Sequence, residues 1–116
     1  MKGNLNIVAV TACVTGVAHT YMAAEKLTKY CASKGYKIIV ETQGVLGSEQ
    51  HLDENAIKNA DVVIITSDIN IADAERFDTL CRLITVNISD IMLNIDKLFR
   101  AVDKIMMHPK GARIDL

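Results

Sequence analysis

The sequence has no tryptophan, one proline and two phenylalanines, and neither sign of charge is in excess. Thirteen lysines and arginines stand against fourteen aspartates and glutamates, so the formal net charge is -1. A chain balanced in this way has no basic field that could hold a nucleic-acid backbone or an anionic membrane. We therefore expect no nucleic acid among its partners, and any anion that binds must be captured locally.

Long hydrophobic runs are also missing. No apolar stretch approaches the roughly 20 residues that a membrane-spanning helix needs. The first six residues lead directly into a short apolar strand, without the hydrophobic region and cleavage site of a secretory signal peptide. The expected location is the cytoplasm.

The cysteines are few and form no recognisable framework. Cys13, Cys31 and Cys81 are odd in number, lie far apart and include no CxxC pair. This pattern favours reduced thiols over disulfides, and its spacing is not that of a metal site. We expect no metal and no bound cofactor.

The chain of 116 residues, half of them hydrophobic, is the right size for a single domain over residues 1–116. Short stretches rich in valine and isoleucine alternate with helical patterns, which is typical of an α/β fold. The predicted strands are Leu5–Ala12, Tyr36–Glu41, Asp61–Thr66 and Arg82–Val86.

These strands predict an open sheet of four parallel strands in three layers, with helices on both faces, like half of a Rossmann fold. The apolar run Val62–Ile65 does not alternate with polar residues, as expected when both faces of a sheet are covered. Right-handed crossovers favour the strand order 2-1-3-4. The chain then reverses direction at the carboxyl end of strand 1, where open α/β sheets bind ligands.

Three helices are predicted. The first begins near Ala18 to Thr20 and ends near Lys34, because Gly35 supplies a stop. A short helix, Glu54–Asn59, follows Asp53 as its cap.

The last helix follows Ser89 as a candidate cap, and Pro109 closes the segment. Apolar residues recur in it at steps of three and four, namely Ile91, Ile95, Leu98, Val102 and Ile105. We interpret this stripe, like Cys31 on the first helix, as part of the core.

The segment from Cys13 to Thr20 joins strand 1 to the first helix. Backbone N–H groups and the positive end of the helix dipole converge there, so the segment predicts an anion cradle with a thiol at its rim. Its predicted phosphate-binding members are Val14, Thr15, Gly16, Val17, Ala18, His19 and Thr20. The same field favours the thiolate of Cys13, the candidate nucleophile, which suggests a phosphocysteine. Judged by position alone, a cysteine that ends a buried strand is more often a small core residue.

The motif Val10–Glu25, which contains this segment, closely resembles the phosphorylation-site signature of fructose-type IIB components of the bacterial sugar phosphotransferase system. Val40–Gly44 followed by Gly47 also resembles that family, as does Ala60–Ile64 leading to Ser67–Asn70 and to Glu75–Phe77. The resemblance covers roughly residues 5 to 105. It differs at Val14, where the family usually has proline, and at Asp78–Arg82, where Gly-Lys-Pro is common.

The resemblance implies a single IIB phosphoryl-carrier domain. Cys13 would accept a phosphoryl group from a phosphohistidine on a IIA partner and pass it to a sugar, fructose or a fructose-like hexose, bound by a membrane IIC partner. The chain would then be cytoplasmic and reach the inner membrane through IIC.

The main alternative is a small cysteine phosphatase, whose loop reads Cys, five residues, Arg, then Ser or Thr. This chain has His19 and Thr20 at those places, and imidazole cannot imitate the bidentate grip of an arginine. Asp68 and Asp90 lie near strand ends, where turn or cap roles are the simpler interpretation. A redox thiol domain would need a second cysteine within reach, and the spacing offers none.

The motif Glu41–Gly44 with Gly47–Glu49 follows strand 2 and should open on the same edge as Cys13. One interpretation is that its glycines simply permit a turn. The functional interpretation is that this loop borders the phosphocysteine and contributes to the docking face, with Gln43 and Gly44 as the candidate residues.

Overall fold

Six strands form one open sheet in the computed structural model, which describes residues 5–12, 18–44, 47–67 and 69–116. Their order across the sheet is β3-β2-β1-β4-β5-β6. β3 runs antiparallel to β2, and the other pairs are parallel. The strands are β1 (Asn6–Ala12), β2 (Lys37–Gly44), β3 (Gly47–Glu49), β4 (Val62–Ser67), β5 (Leu83–Val86) and β6 (Arg113–Asp115).

The α/β class is confirmed. The predicted strand order 2-1-3-4 is confirmed as well, because the four predicted strands are β1, β2, β4 and β5 and lie in the order β2-β1-β4-β5 across the sheet. The sheet is wider than predicted. β3 and β6 extend its two edges with three residues each. Strands this short carry no run of β-branched residues that a sequence pattern could detect.

Helices cover both faces, which explains why the central strands are apolar without alternation. Ile7 and Ala9 of β1 lie in one buried cluster with Leu27 of the first helix. Val8 and Val10 point the other way, into a second cluster. The second cluster is completed by Leu52, Ile57, Ala60, Val63, Phe77, Cys81 and Leu83.

Helix α1 (Ala18–Lys34) has the predicted bounds. Its stop is Gly35, whose φ of 77° lies in the left-handed region that favours glycine. Helix α2 (Glu54–Asn59) is also confirmed, and the side chain of Asp53 caps it by accepting a hydrogen bond of 2.8 Å from the Ala56 N–H.

The last helix is two helices, α3 (Ile88–Leu93) and α4 (Ile95–Ile105), so the single long helix was wrong. Asn94 separates them with a φ of -155° and a ψ of 65°, which a helix cannot accommodate. Ser89 is not a cap, because α3 already begins one residue before it. The apolar stripe continues across the break since both helices pack into the α1 cluster.

A short 3₁₀ helix, Ala74–Asp78, follows β4 and contributes Phe77 to the α2 side of the sheet. α1, α3 and α4 therefore cover one face, and α2 and the 3₁₀ helix cover the other. This layering determines which elements meet at the carboxyl ends of the parallel strands.

Candidate functional site

The last residue of β1, Ala12, lies between two neighbouring strands. It pairs with Gln43 of β2 on one side and with Ser67 of β4 on the other. The chain places β2 on one side of β1 and then β4 and β5 on the other side. The carboxyl end of β1 is therefore the reversal point expected of the fold. Cys13 follows Ala12 in the chain. Cys13, Val14, Thr15, Gly16 and Val17 lie outside the described residues, and their roles stay predictions.

Helix α1 begins at the same edge. Its first turn, described from Ala18 onward, contains no acidic side chain, so the positive end of the helix dipole is not neutralised by its own residues. His19 is exposed and Thr20 is buried. The hydroxyl of Thr11 donates a hydrogen bond of 3.1 Å to the carbonyl of Thr20, which fastens the first turn of α1 to the end of β1. The arrangement favours an anion at this edge.

A buried ion pair lies on the face of β2 that points away from helix α1. Glu41 is fully buried, and its carboxylate receives two hydrogen bonds of 2.7 Å from the guanidinium of Arg76. The Leu52 N–H donates to the same carboxylate at 2.8 Å, and Arg76 also donates to the Leu52 carbonyl at 2.7 Å. The pair therefore connects β2, the segment before α2 and the 3₁₀ helix.

Gln43 extends this network toward Ala12. Its amide nitrogen donates to Glu41 at 2.7 Å and to the Ala72 carbonyl at 3.2 Å. Its amide oxygen accepts from the Ala72 N–H at 2.8 Å. Gln43 thus lies at the expected edge, but in strand β2 and not in a turn, and the same holds for Gly44, which ends β2 opposite Gly47.

The pKa of Glu41 reflects this environment. Burial alone would raise it, but hydrogen bonds from Arg76, Gln43 and the Leu52 N–H, together with the charge of Arg76, outweigh burial and lower the pKa. Glu41 is consequently a carboxylate at neutral pH and serves as an acceptor and not as a proton donor.

The sequence motifs contain Glu41 and Arg76, but nothing in them predicts that the two residues form a pair. They lie 35 positions apart, and no local pattern pairs them. One feature of the sequence could have indicated a pair. Glu41 directly follows the apolar residues Ile38–Val40 of a predicted strand, and a carboxylate buried there requires a partner.

Two threonines occupy the same level of neighbouring strands near the site. Thr11 of β1 is aligned with Thr66 of β4, and both are completely buried. The Thr11 hydroxyl is bonded to Thr20, whereas the Thr66 hydroxyl has no hydrogen-bond partner among the residues that the structure describes. Such an orphan donor lowers stability and is uncommon in a strand interior.

The two described cysteines belong to the core. Cys31 is completely buried, and burial raises its thiol pKa to about 12. Burial also raises the pKa of Cys81, although Arg113 and Lys110 partly oppose the rise. Because the two thiols lie in clusters on opposite faces of the sheet, they cannot pair with each other. Neither has the character of a nucleophile.

Within residues 5–12, 18–44, 47–67 and 69–116, no three histidine, cysteine or acidic side chains come together in a way that could hold a metal ion. Over the same residues, no helix is both long enough and apolar enough to cross a bilayer.

Comparison with known proteins decides the family. Residues 8–101 match the family described as "PTS system, Lactose/Cellobiose specific IIB subunit". The chain belongs to the IIB family of the sugar phosphotransferase system. This IIB chain is 43% identical over 110 residues to the "PTS system fructose-like EIIB component 3" of Escherichia coli K12, covering 95% of this chain and 96% of that protein.

Solved structures agree with the IIB fold. The crystal structure of a "Predicted Fructose Specific IIB" from Escherichia coli superposes with a TM-score of 0.90 at 42% identity, covering 97% of this chain and 98% of that one. A relative from Vibrio cholerae, the "PTS system fructose-specific EIIB'BC component", is 52% identical over 72 residues, which are 62% of this chain and 12% of that longer protein. The IIB chain is therefore a component of a phosphotransferase family with fructose-like relatives.

Proposed function

We propose that this IIB domain carries a phosphoryl group on Cys13. It receives the group from a phosphohistidine on a IIA partner and delivers it to a sugar, fructose or a fructose-like hexose, taken up through a membrane IIC partner. The observation that carries the proposal is the position of Cys13 in the chain, directly after Ala12 at the reversal point and five residues before α1 begins. The first turn of that helix has no carboxylate to repel a phosphoryl group.

The chemistry requires two displacements. The Cys13 thiolate attacks phosphorus, the P–N bond breaks, and the electron pair stays on the imidazole of the donor, which then takes a proton. In the second step a sugar hydroxyl attacks, loses its proton, and the S–P bond breaks to regenerate the thiolate. The N–H groups of residues 14–18, together with His19 and Thr20, would donate hydrogen bonds to the equatorial oxygens of the phosphoryl group.

The family supports the proposed partners. The name EIIB'BC of the Vibrio cholerae relative joins B and C components, which supports a IIC partner for this chain. The fructose-like names of the Escherichia coli relatives support a fructose-like sugar. A domain that meets a IIA protein on one side and a IIC permease on the other would work at the cytoplasmic surface of the inner membrane.

The contacts of Arg76 and Arg82 argue against the phosphatase alternative. Arg76 lies near the site, but Glu41 occupies its guanidinium with two hydrogen bonds, and only 8% of its side chain is exposed. Arg82 donates to the carbonyls of His108 and Asp61 at the amino ends of the strands. Neither can supply the free fork that a cysteine phosphatase uses on its transition state.

The test is the intact mass of the protein after incubation with phosphoenolpyruvate, the general phosphotransferase relay proteins and a fructose-type IIA protein. We expect wild type to gain one phosphoryl group and to lose it when IIC and sugar are added. Cys13→Ser should gain none. No gain by wild type, together with hydrolysis of an aryl phosphate by the protein alone, would instead establish a phosphatase.

A further inference from the structure

The chain crosses the end of β1 after it leaves β4. β4 ends at Ser67, which pairs with Ala12 on one side, while Ala72 is bonded to Gln43, which pairs with Ala12 on the other. Neighbouring strands lie about 4.8 Å apart, so the segment spans about 10 Å from one neighbour of β1 to the other. We call residues 69–73 the strap.

Both ends of the strap are fastened. At its start, the Ser67 hydroxyl donates to the Ile69 carbonyl at 2.6 Å and accepts from the Ile69 N–H at 3.1 Å. At its far end, Ala72 makes two hydrogen bonds with Gln43, and Arg76 donates to the Asp73 carbonyl at 3.0 Å. Asp73 has a φ of 57°, in the left-handed region that is uncommon for residues other than glycine, asparagine and aspartate.

The strap and helix α1 lie on opposite faces of the sheet. Residues 41 and 43 share a face because side chains alternate along a strand, and Glu41 faces Arg76 and the segment before α2. α1 packs on the other face through Ala23, Leu27 and Cys31. The end of β1, from which the chain continues to Cys13, therefore has α1 on one side and the strap on the other.

Gln43 has no donor left for a phosphoryl group. Its amide nitrogen donates to the Glu41 carboxylate and to the Ala72 carbonyl, and its amide oxygen accepts from the Ala72 N–H. Arg76 is committed to Glu41 and to backbone carbonyls in the same way. With their donors occupied, these side chains act on the site through the segments that they hold, and the strap is the one that crosses the end of β1.

We propose that Gln43 and the Glu41–Arg76 pair are positioning residues for phosphoryl transfer, an inference that rests on the function proposed above. They hold the strap against the end of β1 and so limit the orientations open to Cys13 and its phosphoryl group. Loosening the strap should slow the transfer step because fewer encounters then find an aligned thiol, whereas a docking role for Gln43 would instead weaken the encounter with the donor.

The experiment is single-turnover phosphorylation of Cys13 by phosphorylated IIA at a series of IIA concentrations. Gln43→Met keeps the length of the side chain and removes its hydrogen bonds, and Arg76→Lys keeps the charge and removes the fork. Arg82→Lys is the matched control. Arg82 also donates to backbone carbonyls, but at the amino ends of the strands, away from the end of β1 that leads to Cys13. Thermal unfolding of each variant shows how much of it is folded at the assay temperature.

We expect Gln43→Met and Arg76→Lys to lower the maximal rate about ten-fold at an unchanged half-saturating concentration of IIA, while Arg82→Lys keeps the wild-type rate. A Gln43→Met rate equal to that of wild type would overturn the inference even if Arg76→Lys unfolds. A rate loss that only follows the unfolded fraction would also overturn it. Wild type that stays unphosphorylated would reject the proposed function itself, and the inference with it.

Discussion

The carboxylate of Glu41 and the guanidinium of Arg76 meet in two hydrogen bonds of 2.7 Å, and the glutamate side chain is fully buried. Among the described residues, four donors reach this carboxylate, namely two guanidinium nitrogens, the Gln43 amide and the Leu52 N–H. Because the carboxylate is so fully satisfied, the pair joins three segments without leaving an uncompensated buried charge.

Removal of the cation alone should be costly. We expect Arg76→Met to lower the free energy of unfolding by about 3–5 kcal/mol, because it leaves the Glu41 carboxylate buried without its counterion. Urea unfolding at pH 7 measures the loss. Since an apolar pair avoids that charge, the double variant Glu41→Met with Arg76→Met should recover a large part of it. A double variant less stable than Arg76→Met would contradict this account.

Acid should weaken the fold through Glu41. Its folded-state pKa is lowered from the ordinary value of 4.5, so its stabilising contribution is complete above that value and is lost as the pH falls through the folded-state pKa. Urea unfolding of wild type between pH 6 and pH 3 should show this loss. In Arg76→Met the contribution of Glu41 should disappear or change sign, because burial without the cation raises the pKa. Parallel pH profiles for the two proteins would show that Glu41 is not responsible.

Thr11 and Thr66 should respond in opposite directions to the same change. Thr66→Val removes a buried hydroxyl that has no partner within the described part of the chain, so we expect a gain of about 1 kcal/mol in the free energy of unfolding. Thr11→Val breaks the bond to the Thr20 carbonyl, and we expect a loss of about 1 kcal/mol. Urea unfolding of the two variants tests both. Equal effects would mean that the pairing of the hydroxyl does not determine the outcome.

The three thiols should differ in reactivity. Iodoacetamide at pH 8 should label Cys13 first in the native protein, because Cys31 and Cys81 are buried with raised pKa values. Peptide mass spectrometry identifies the labelled residue, and the same reaction in urea should label all three. Labelling of Cys31 as fast as Cys13 in the native protein would be inconsistent with this assignment.

His19 should support phosphoryl transfer. It is exposed in the first turn of α1, and as a predicted phosphate-binding residue it would donate a hydrogen bond to the phosphoryl group. We expect His19→Ala to slow phosphorylation of Cys13 by about ten-fold, the effect of one hydrogen bond to a charged group. The control is His108→Ala, an exposed histidine beyond α4. Wild-type kinetics in His19→Ala would remove it from the site.

Local patterns accounted for most of the elements. The end of α1 followed from the stop at Gly35, and the start of α2 from the cap at Asp53, because neighbouring residues alone determine such helix ends. The order of the four longer strands followed from the handedness of their crossovers. The break at Asn94 escaped prediction, since the apolar spacing continues through it.

The sequence by itself determined the family, the fold class and the place of Cys13 after β1, because these depend on contiguous residues and on the period of buried side chains. Only the tertiary structure decided that Glu41 pairs with Arg76, 35 positions away, and that Gln43 holds Ala72, 29 positions away. A hydrogen bond depends on distance in space. Once the sheet places β2 and the segment after β4 on either side of β1, polar groups far apart in the chain become each other's partners.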